Sequence, residues 1–436
     1  MDAYSDTVDY VCNLHGGEID LRLHRVAAAL DLFDHPELSY PAFHVAGTNG
    51  KGSTAAMLHG ILSARGYRVG LYTSPHLEEF TERIRVADRE IARDEVVELA
   101  GQIKDEIAAR DITLTFFEFV TVMALVYFRR RNIDVAVVEV GLGGRLDATN
   151  LVRSGVSVVT TIAKDHEAFL GHDLPSIARE KGGIIKSGVP VVCGAFTPEI
   201  ETLLREMADR AGAPSYFLGR DFSLVAAENG GLDYQGLERR LSGVEVGLYG
   251  RHQLYNAALA MASLEVKRRD FPVTESAIRE GLSQIVWPGR FEIRRRRPTV
   301  ILDGAHNGEG AKALAEAVLQ FSGGRKVKLL FGAMADKDVG AMLGELAATA
   351  SEVVLTKAPT ARAADPASLT KWVPPDVPIE IAPDAGAAID SLVRRSHADD
   401  IILVAGSLYL LGQVRPLVGR VPDERREENI GPLHTN

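Results

Sequence analysis

The sequence predicts an α/β fold in two domains: a larger N-terminal one on a mainly parallel sheet with a small antiparallel insert, and a smaller C-terminal Rossmann-like one. Three observations carry this. From Phe43 onward, short apolar runs ending in glycine or small polar residues alternate with helix-like text. A second series of the same kind starts after Trp287-Pro288-Gly289. The length of 436 residues exceeds one core of ordinary size.

The runs FHVAGTNG, RVGLYTSP, DVAVVEVG, VSVVTTIA and VPVVCGA lack polar alternation, which marks strands covered on both faces. Ligands of such sheets sit beyond the carboxyl ends of the strands. Between Phe222 and Tyr249 the text changes, and Asn229-Gly230 and Gly236 supply hairpin turns for the antiparallel insert. A helix is expected from about His252 to Arg269. The second series, TVILDGAH, VKLLFGAM, EVVLTKA, IEIAPD and DIILVAGS, alternates with helices such as AKALAEAVLQF. The boundary is placed near Trp287, giving domains 1–287 and 288–436 that meet through a short hinge, and the charged tail from Asp423 is expected to be loose.

Composition narrows the class. Hydrophobic residues at 46% and charged residues at 25% fit a globular protein and exclude a disordered or fibrous one. A net charge of -10 argues against a nucleic-acid partner, so an anionic substrate must be met by local cations. Cys12 and Cys193 form no metal or disulfide pattern, which suits a reducing compartment. The N-terminus carries acids where a secretory signal carries positive charge, and the apolar stretch Phe119 to Phe128 is about half the ~20 residues of a membrane span. A cytoplasmic monomer with no membrane partner is expected.

The chemistry gathers at the strand ends. AGTNGKGST, Ala46 to Thr54, fails the Walker A pattern: Val45 stands where the first glycine belongs and Gly52 follows Lys51. Its strand, glycine-rich turn and helix context still suits a phosphate, held by amides at the helix N-terminus with Lys51 adding charge; a plain turn with a solvated lysine is the other reading. Ser74 of TSPHL offers a hard oxygen for Mg²⁺ or caps a helix ahead of Pro75. Glu139 lies inside the apolar run Asp134 to Val140, where a carboxylate is costly unless paired or metal-bound. His166 of KDHEAFLG is expected beside Glu139 across the sheet, as a metal ligand or a structural histidine.

Lys181 of REKGGIIK lies in helix-like text. Its ammonium cannot bind a cation, but a carbamate formed with CO₂ could. In the second domain Asp303 and His306 of LDGAHN end a strand, and Arg290 of WPGRFE sits at the boundary, where it reaches a triphosphate as the domains close. The run Arg294 to Arg297 reads as a solvated strand edge without a site.

Together GTNGKGS, TSPHL, FFEFVTVMAL, EVGLGGRLDATN, DHEAFLG, REKGGIIK, GRHQLYNAALA, WPGRFE, LDGAHN and AMADKD resemble the folylpolyglutamate synthase and dihydrofolate synthase family of the Mur ligase superfamily. The resemblance runs from about Ile19 to Gly412. It implies a P-loop of the form G-T-N-G-K-[GST]-[ST], and an ATP-dependent ligase that joins a folate-type carboxylate to the amine of L-glutamate through an acyl phosphate. It implies phosphate binding by Gly50, Lys51, Gly52 and Ser53, and nucleotide contacts at Asn256, Arg290 and Asp303. The family's metal positions fall on Ser74, Glu139, His166 and a carbamylated Lys181, for two Mg²⁺ ions.

Substrate contacts for dihydropteroate or tetrahydrofolate fall on Leu21, Arg22 and Leu23, on Thr115, Phe116, Phe117 and Glu118, and on Leu146, Asp147 and Ala148. Catalytic roles fall on Lys51, Lys181 and His306. Arg22 replaces a common glycine and Gly182 a usual alanine, while GGRLDATN resembles the enzymes with both activities. Three rivals stand beside this: a folylpolyglutamate synthase only, a cell-wall Mur ligase, and a non-catalytic P-loop regulator. Only ~45 residues precede the loop, against the ~100 of a separate UDP-sugar domain.

Overall fold

The computed structural model describes residues 2–14, 22–226 and 231–419. The chain forms two compact units, 1–286 and 287–436. In the first, the strands are β1 (Ala42–Ala46), β2 (Val69–Tyr72), β3 (Ile84–Val86), β4 (Arg89–Glu90), β5 (Val135–Glu139), β6 (Ser154–Val159), β7 (Val191–Cys193) and β8 (Ser215–Phe217). They build one sheet in the order β4-β3-β2-β5-β1-β6-β7-β8. From β2 to β8 every pairing is parallel, and β3 and β4 extend the β2 edge antiparallel.

Each residue of β1, β2 and β5 is buried, as apolar runs without alternation require of strands sandwiched between helices. The helix Phe116–Arg130 holds the apolar stretch Phe119 to Phe128 entirely in the core. Among the described residues no helix is long and apolar enough to cross a membrane.

The insert forms as the turn text predicts. Strands β9 (Ser223–Ala226), β10 (Leu232–Gln235) and β11 (Arg240–Val244) pair antiparallel. Gly236 N donates to Arg239 O at 2.8 Å and closes one hairpin, while Asn229-Gly230 lies outside the described residues. Buried Glu265 ties this sheet to the helix Arg251–Val266, accepting from Tyr234 Oη, Leu237 N and Arg239 N at 3.0, 2.8 and 2.7 Å. Three donors offset the cost of the buried carboxylate.

The second unit contains β12 (Glu292–Arg296), β13 (Thr299–Asp303), β14 (Val327–Phe331), β15 (Ala350–Thr356), β16 (Ile379–Ala382) and β17 (Ile401–Ala405). Their order is β12-β13-β17-β14-β15-β16, parallel except for the edge strand β12. One expectation is corrected here. Arg295 and Arg296 are exposed on that edge, but Arg294 is buried, donating to the Arg415 and Val418 carbonyls at 3.3 and 3.2 Å and pairing with Glu292 at 3.4 Å. The register of β12 shifts beside this arginine, and the carbonyls accept its protons.

Candidate active site

The turn after β1 is the centre of the site. Gly50 adopts φ +84° as the N-cap of the helix Lys51–Ala64, a left-handed conformation that suits glycine. A Cβ there would also lie 2.4 Å from Asn256 Oδ1, so Asn256, fixed by its Nδ2 bond to Gln253 Oε1 at 3.0 Å, packs directly against the turn. Gly52 and Ser53 are buried in the first helical turn.

The turn is held from β6. Thr161 Oγ1 accepts from Asn49 N at 2.8 Å and donates to Asn49 O at 3.1 Å, while Thr160 Oγ1 donates to Asn49 O at 2.6 Å. Thr48 Oγ1 and Ala163 exchange a further pair of bonds at 3.0 Å. Sequence reasoning passed over Thr160 and Thr161; two adjacent hydroxyls at the carboxyl end of a strand were the available signal.

Two lysines converge on the turn. Lys51 Nζ donates to Gly47 O at 3.0 Å and Thr48 O at 3.1 Å, and Lys181 Nζ donates to the same Gly47 O at 2.9 Å. Lys181 lies near the end of the helix Leu174–Gly182 and is 4% exposed. Burial, and then the charge of Lys51, push its ammonium down to about 7.

Ser74 and Glu139 also meet. They end the adjacent parallel strands β2 and β5, and Ser74 N donates to Glu139 Oε2 at 3.0 Å. Ser74 caps no helix, and Glu139 is buried. A hydroxyl beside a buried carboxylate is a fitting donor set for Mg²⁺, which takes one or two carboxylates and draws the rest of its shell from phosphate and water. Among the described residues no three His, Cys, Asp or Glu side chains form a metal cage.

The strand order bears on how His166 is reached from the sheet. Strand β1 lies between β5 and β6, so β5, which ends at Glu139, is not the neighbour of β6. His166 sits beyond that strand at φ +51°, half-exposed, with Nε2 3.8 Å from Asp165 Oδ2.

The segment Thr115 to Glu118 opens a helix. Thr115 Oγ1 accepts from Glu118 N at 3.4 Å and Glu118 Oε2 accepts from Thr115 N at 2.7 Å, a capping box. Arg25, missed from the sequence because 93 positions separate the pair, donates from Nη2 to both Glu118 oxygens at 2.9 and 3.0 Å. Phe117 stacks on Tyr72 at 6.1 Å and lies against Gly141, where a Cβ would meet its ring at 2.4 Å. The Arg83 guanidinium lies 5.0 Å over the Phe116 ring.

Asp147 is buried beside Leu146 and Ala148, with Oδ2 accepting from Leu142 N at 2.8 Å and Oδ1 from Thr149 N at 3.0 Å. Burial raises its carboxyl above the ordinary range. Arg22 is exposed, Leu23 precedes the helix His24–Asp31, and Leu21 lies outside the described residues.

In the second unit Asp303 ends β13, accepting from Phe291 N at 2.8 Å and Ala305 N at 2.9 Å. Arg290 Nη1 donates to Gly289 O at 3.4 Å. His306 Nδ1 lies 2.9 Å from Gly304 O. A carbonyl only accepts, so Nδ1 carries a proton.

Known proteins resemble this chain over nearly its whole length. The Mur ligase middle domain matches residues 45–264, and the Mur ligase glutamate ligase domain matches residues 289–408. The dihydrofolate synthase/folylpolyglutamate synthase of Bacillus subtilis is 33% identical over 434 residues, covering 95% of this chain and 98% of that protein. Escherichia coli FolC in complex with DHPP and ADP is 34% identical with a TM-score of 0.88, covering 97% and 98% of the two chains. The bifunctional folylpolyglutamate synthase/dihydrofolate synthase of Yersinia pestis, solved with AMPPNP and Mn ion, is 35% identical with a TM-score of 0.86, covering 95% and 98%. The chain belongs to the folylpolyglutamate synthase/dihydrofolate synthase family of Mur ligases.

Proposed function

We propose that this chain is an ATP-dependent ligase that joins glutamate to a pteroate or folate carboxylate through an acyl phosphate, with both synthase activities. The observation that carries this reading is the pairing of Lys51 and Lys181 on Gly47 O beside a left-handed glycine at a helix N-terminus. That combination offers amides and a cation to phosphate oxygens. The retained GGRLDATN segment supports the dual activity.

A carboxylate resists an amine because its charge is delocalised and oxide leaves poorly. Moving the γ-phosphoryl of ATP onto it makes phosphate the leaving group. Lys51 and the amides of Gly50, Gly52 and Ser53 hold and neutralise that phosphoryl in flight. The neutral amine of glutamate then attacks the acyl carbon, and the tetrahedral intermediate expels phosphate. Bound Mg²⁺, two ions in this proposal, supplies charge neutralisation at the phosphates.

Ser74 and Glu139 are the residues placed to hold a dication, with His166 and Lys181 as the family's further ligand positions. The neutral Lys181 amine, present in quantity near pH 7, is the form that adds to CO₂ and loses a proton to give a carbamate. Phe117, with Tyr72 behind it, offers a flat face to the pterin ring; Thr115, Phe116, Glu118, Leu146, Asp147 and Ala148 are proposed around the same substrate. Asn256, Arg290 and Asp303 as nucleotide contacts and His306 as a catalytic group rest on the family resemblance. A cytoplasmic monomer completes the proposal, and the free thiols of Cys12 and Cys193 suit it.

Purified protein is given ATP, Mg²⁺ and glutamate with dihydropteroate in one reaction and tetrahydrofolate in another. Mass spectrometry is expected to show a glutamate added in both. Addition to tetrahydrofolate alone would restrict the enzyme to folylpolyglutamate synthesis, and ADP release needing neither substrate would replace the ligase by a nucleotide-binding regulator.

A further inference from the structure

We propose that His44 and Thr149 form a buried relay that positions the Asp147 carboxylate for the substrate, so that His44 is a positioning residue for pteroate binding. This rests on the reading of Asp147 as a substrate contact.

His44 lies in β1 with no exposed surface, a polar ring in the middle of an apolar sheet. Its Nε2 lies 2.9 Å from Thr149 Oγ1, and Thr149, equally buried, donates that hydroxyl to Asp147 Oδ1. Proton counting fixes the direction. A hydroxyl has one proton, and the carboxylate takes it. Thr149 Oγ1 is then an acceptor toward His44, so Nε2 must carry the imidazole proton. The relay runs His44 Nε2–H to Thr149 Oγ1–H to Asp147 Oδ1, every donor aimed at the carboxylate.

The remaining nitrogen agrees with this tautomer. Nδ1 of His44 is buried without a hydrogen-bond partner among the described residues, which a bare lone pair tolerates better than an orphaned N–H. Burial holds the ring down at about 3, so it stays neutral at every working pH. The relay therefore does not switch with pH. It orients.

Oδ1 of Asp147 is taken by the Thr149 amide and hydroxyl, and Oδ2 accepts from Leu142 N at 2.8 Å. An ionised carboxylate has about four acceptor sites. The Gly141 amide also donates to this carboxylate, and the relay through Oδ1 locks the plane of the group and with it the direction of Oδ2. A sheet-core residue fixes the aim of a substrate contact several elements away in sequence.

The test uses the full chain and steady-state kinetics with dihydropteroate, ATP and glutamate each varied. Thr149→Val keeps shape and removes the relay hydroxyl; Thr149→Ser keeps the hydroxyl. His44→Leu removes the donor, and His44→Gln retains one near the position of Nε2. Thr149→Val and His44→Leu are expected to raise KM for dihydropteroate by about five- to ten-fold, the scale of one hydrogen bond, with kcat and the KM for ATP nearly unchanged. Thr149→Ser and His44→Gln are expected to restore most of the loss.

A fall in thermal midpoint with unchanged dihydropteroate KM in Thr149→Val would overturn the relay and leave a purely structural role. Asp147→Asn separates the two levels: a raised KM there with none in Thr149→Val sinks the relay alone. An unchanged KM in Asp147→Asn sinks the substrate reading and the relay with it. If His44→Leu fails to fold, the Thr149 pair decides.

Discussion

Lys51 and Lys181, 130 positions apart, place their ammonium nitrogens 3.0 and 2.9 Å from one carbonyl oxygen, that of Gly47. Two like charges on one acceptor in a buried setting oppose each other, and the more buried lysine yields. Lys181 is that lysine, and its lowered ammonium makes a carbamate at this position chemically accessible near neutral pH. Lys181→Ala is therefore expected to abolish ligase activity, and added formate or acetate to recover part of it by placing a carboxylate in the vacated space. Activity against carboxylate concentration is the measurement, and a flat response would remove the carbamate from the mechanism.

The same lysine has a consequence for stability. Its native ammonium sits at about 7 against an ordinary 10.5, so between these values the unfolded chain binds the proton that the native one has released. Stability then rises with pH across that window. The cost of the buried amine is fully present below pH 7 and gone above 10.5. Lys181→Met, in carbonate-free buffer, is expected to gain thermal midpoint over the unsubstituted protein at pH 6.5 and to lose most of that advantage by about pH 10. Equal gains at both ends would contradict a lowered native value.

Gly50→Ala tests the turn. The residue must hold φ +84°, which costs a non-glycine residue about 1–2 kcal/mol, and its Cβ must displace Asn256 Oδ1 from 2.4 Å. Since Asn256 is fixed by Gln253, the turn rather than the asparagine has to move. KM for ATP is expected to rise on the order of ten-fold or more, with a smaller effect on glutamate, and isothermal titration with ADP would report the same loss without turnover.

The fold was legible where physics acts locally. Apolar runs such as DVAVVEVG announce doubly covered strands, and the turn with Gly50 and Lys51 follows from one strand, its glycines and the helix after it. Sheet order was not legible: nothing in VSVVTTIA says that β6 pairs with β1 and not with β5. Long-range polar partners were hidden for the same reason. Arg25 meets Glu118, and His44 meets Thr149, only because strands and helices distant in sequence pack together. Arg294 shows the converse error, a residue judged from its charged neighbours although it is buried beside a register shift in β12, donating to two carbonyls.

Glu118 has both carboxylate oxygens engaged, by Arg25 and by the Thr115 amide. With Glu118 at 4% and Arg25 at 16% side-chain exposure, removing one partner strands a charge in the interior. Glu118→Ala is expected to cost about 3 kcal/mol in urea unfolding, and to raise KM for dihydropteroate in the fraction that folds. An unchanged KM with that loss of stability would restrict Glu118 to its ion pair with Arg25.

Glu139→Gln separates charge from shape at the metal position. Glutamine keeps an oxygen to accept from Ser74 N, now at 3.0 Å from Oε2, so the β2 and β5 ends should hold their spacing and the thermal midpoint should stay close to its original value. What disappears is the negative charge that a hard dication requires. The Mg²⁺ concentration for half-maximal activity is expected to rise by at least about ten-fold, with activity returning as the metal is raised, because phosphate and water still complete the shell. A variant that loses activity at every Mg²⁺ concentration, while remaining folded, would show that the Glu139 carboxylate acts on the reaction by a route other than metal affinity.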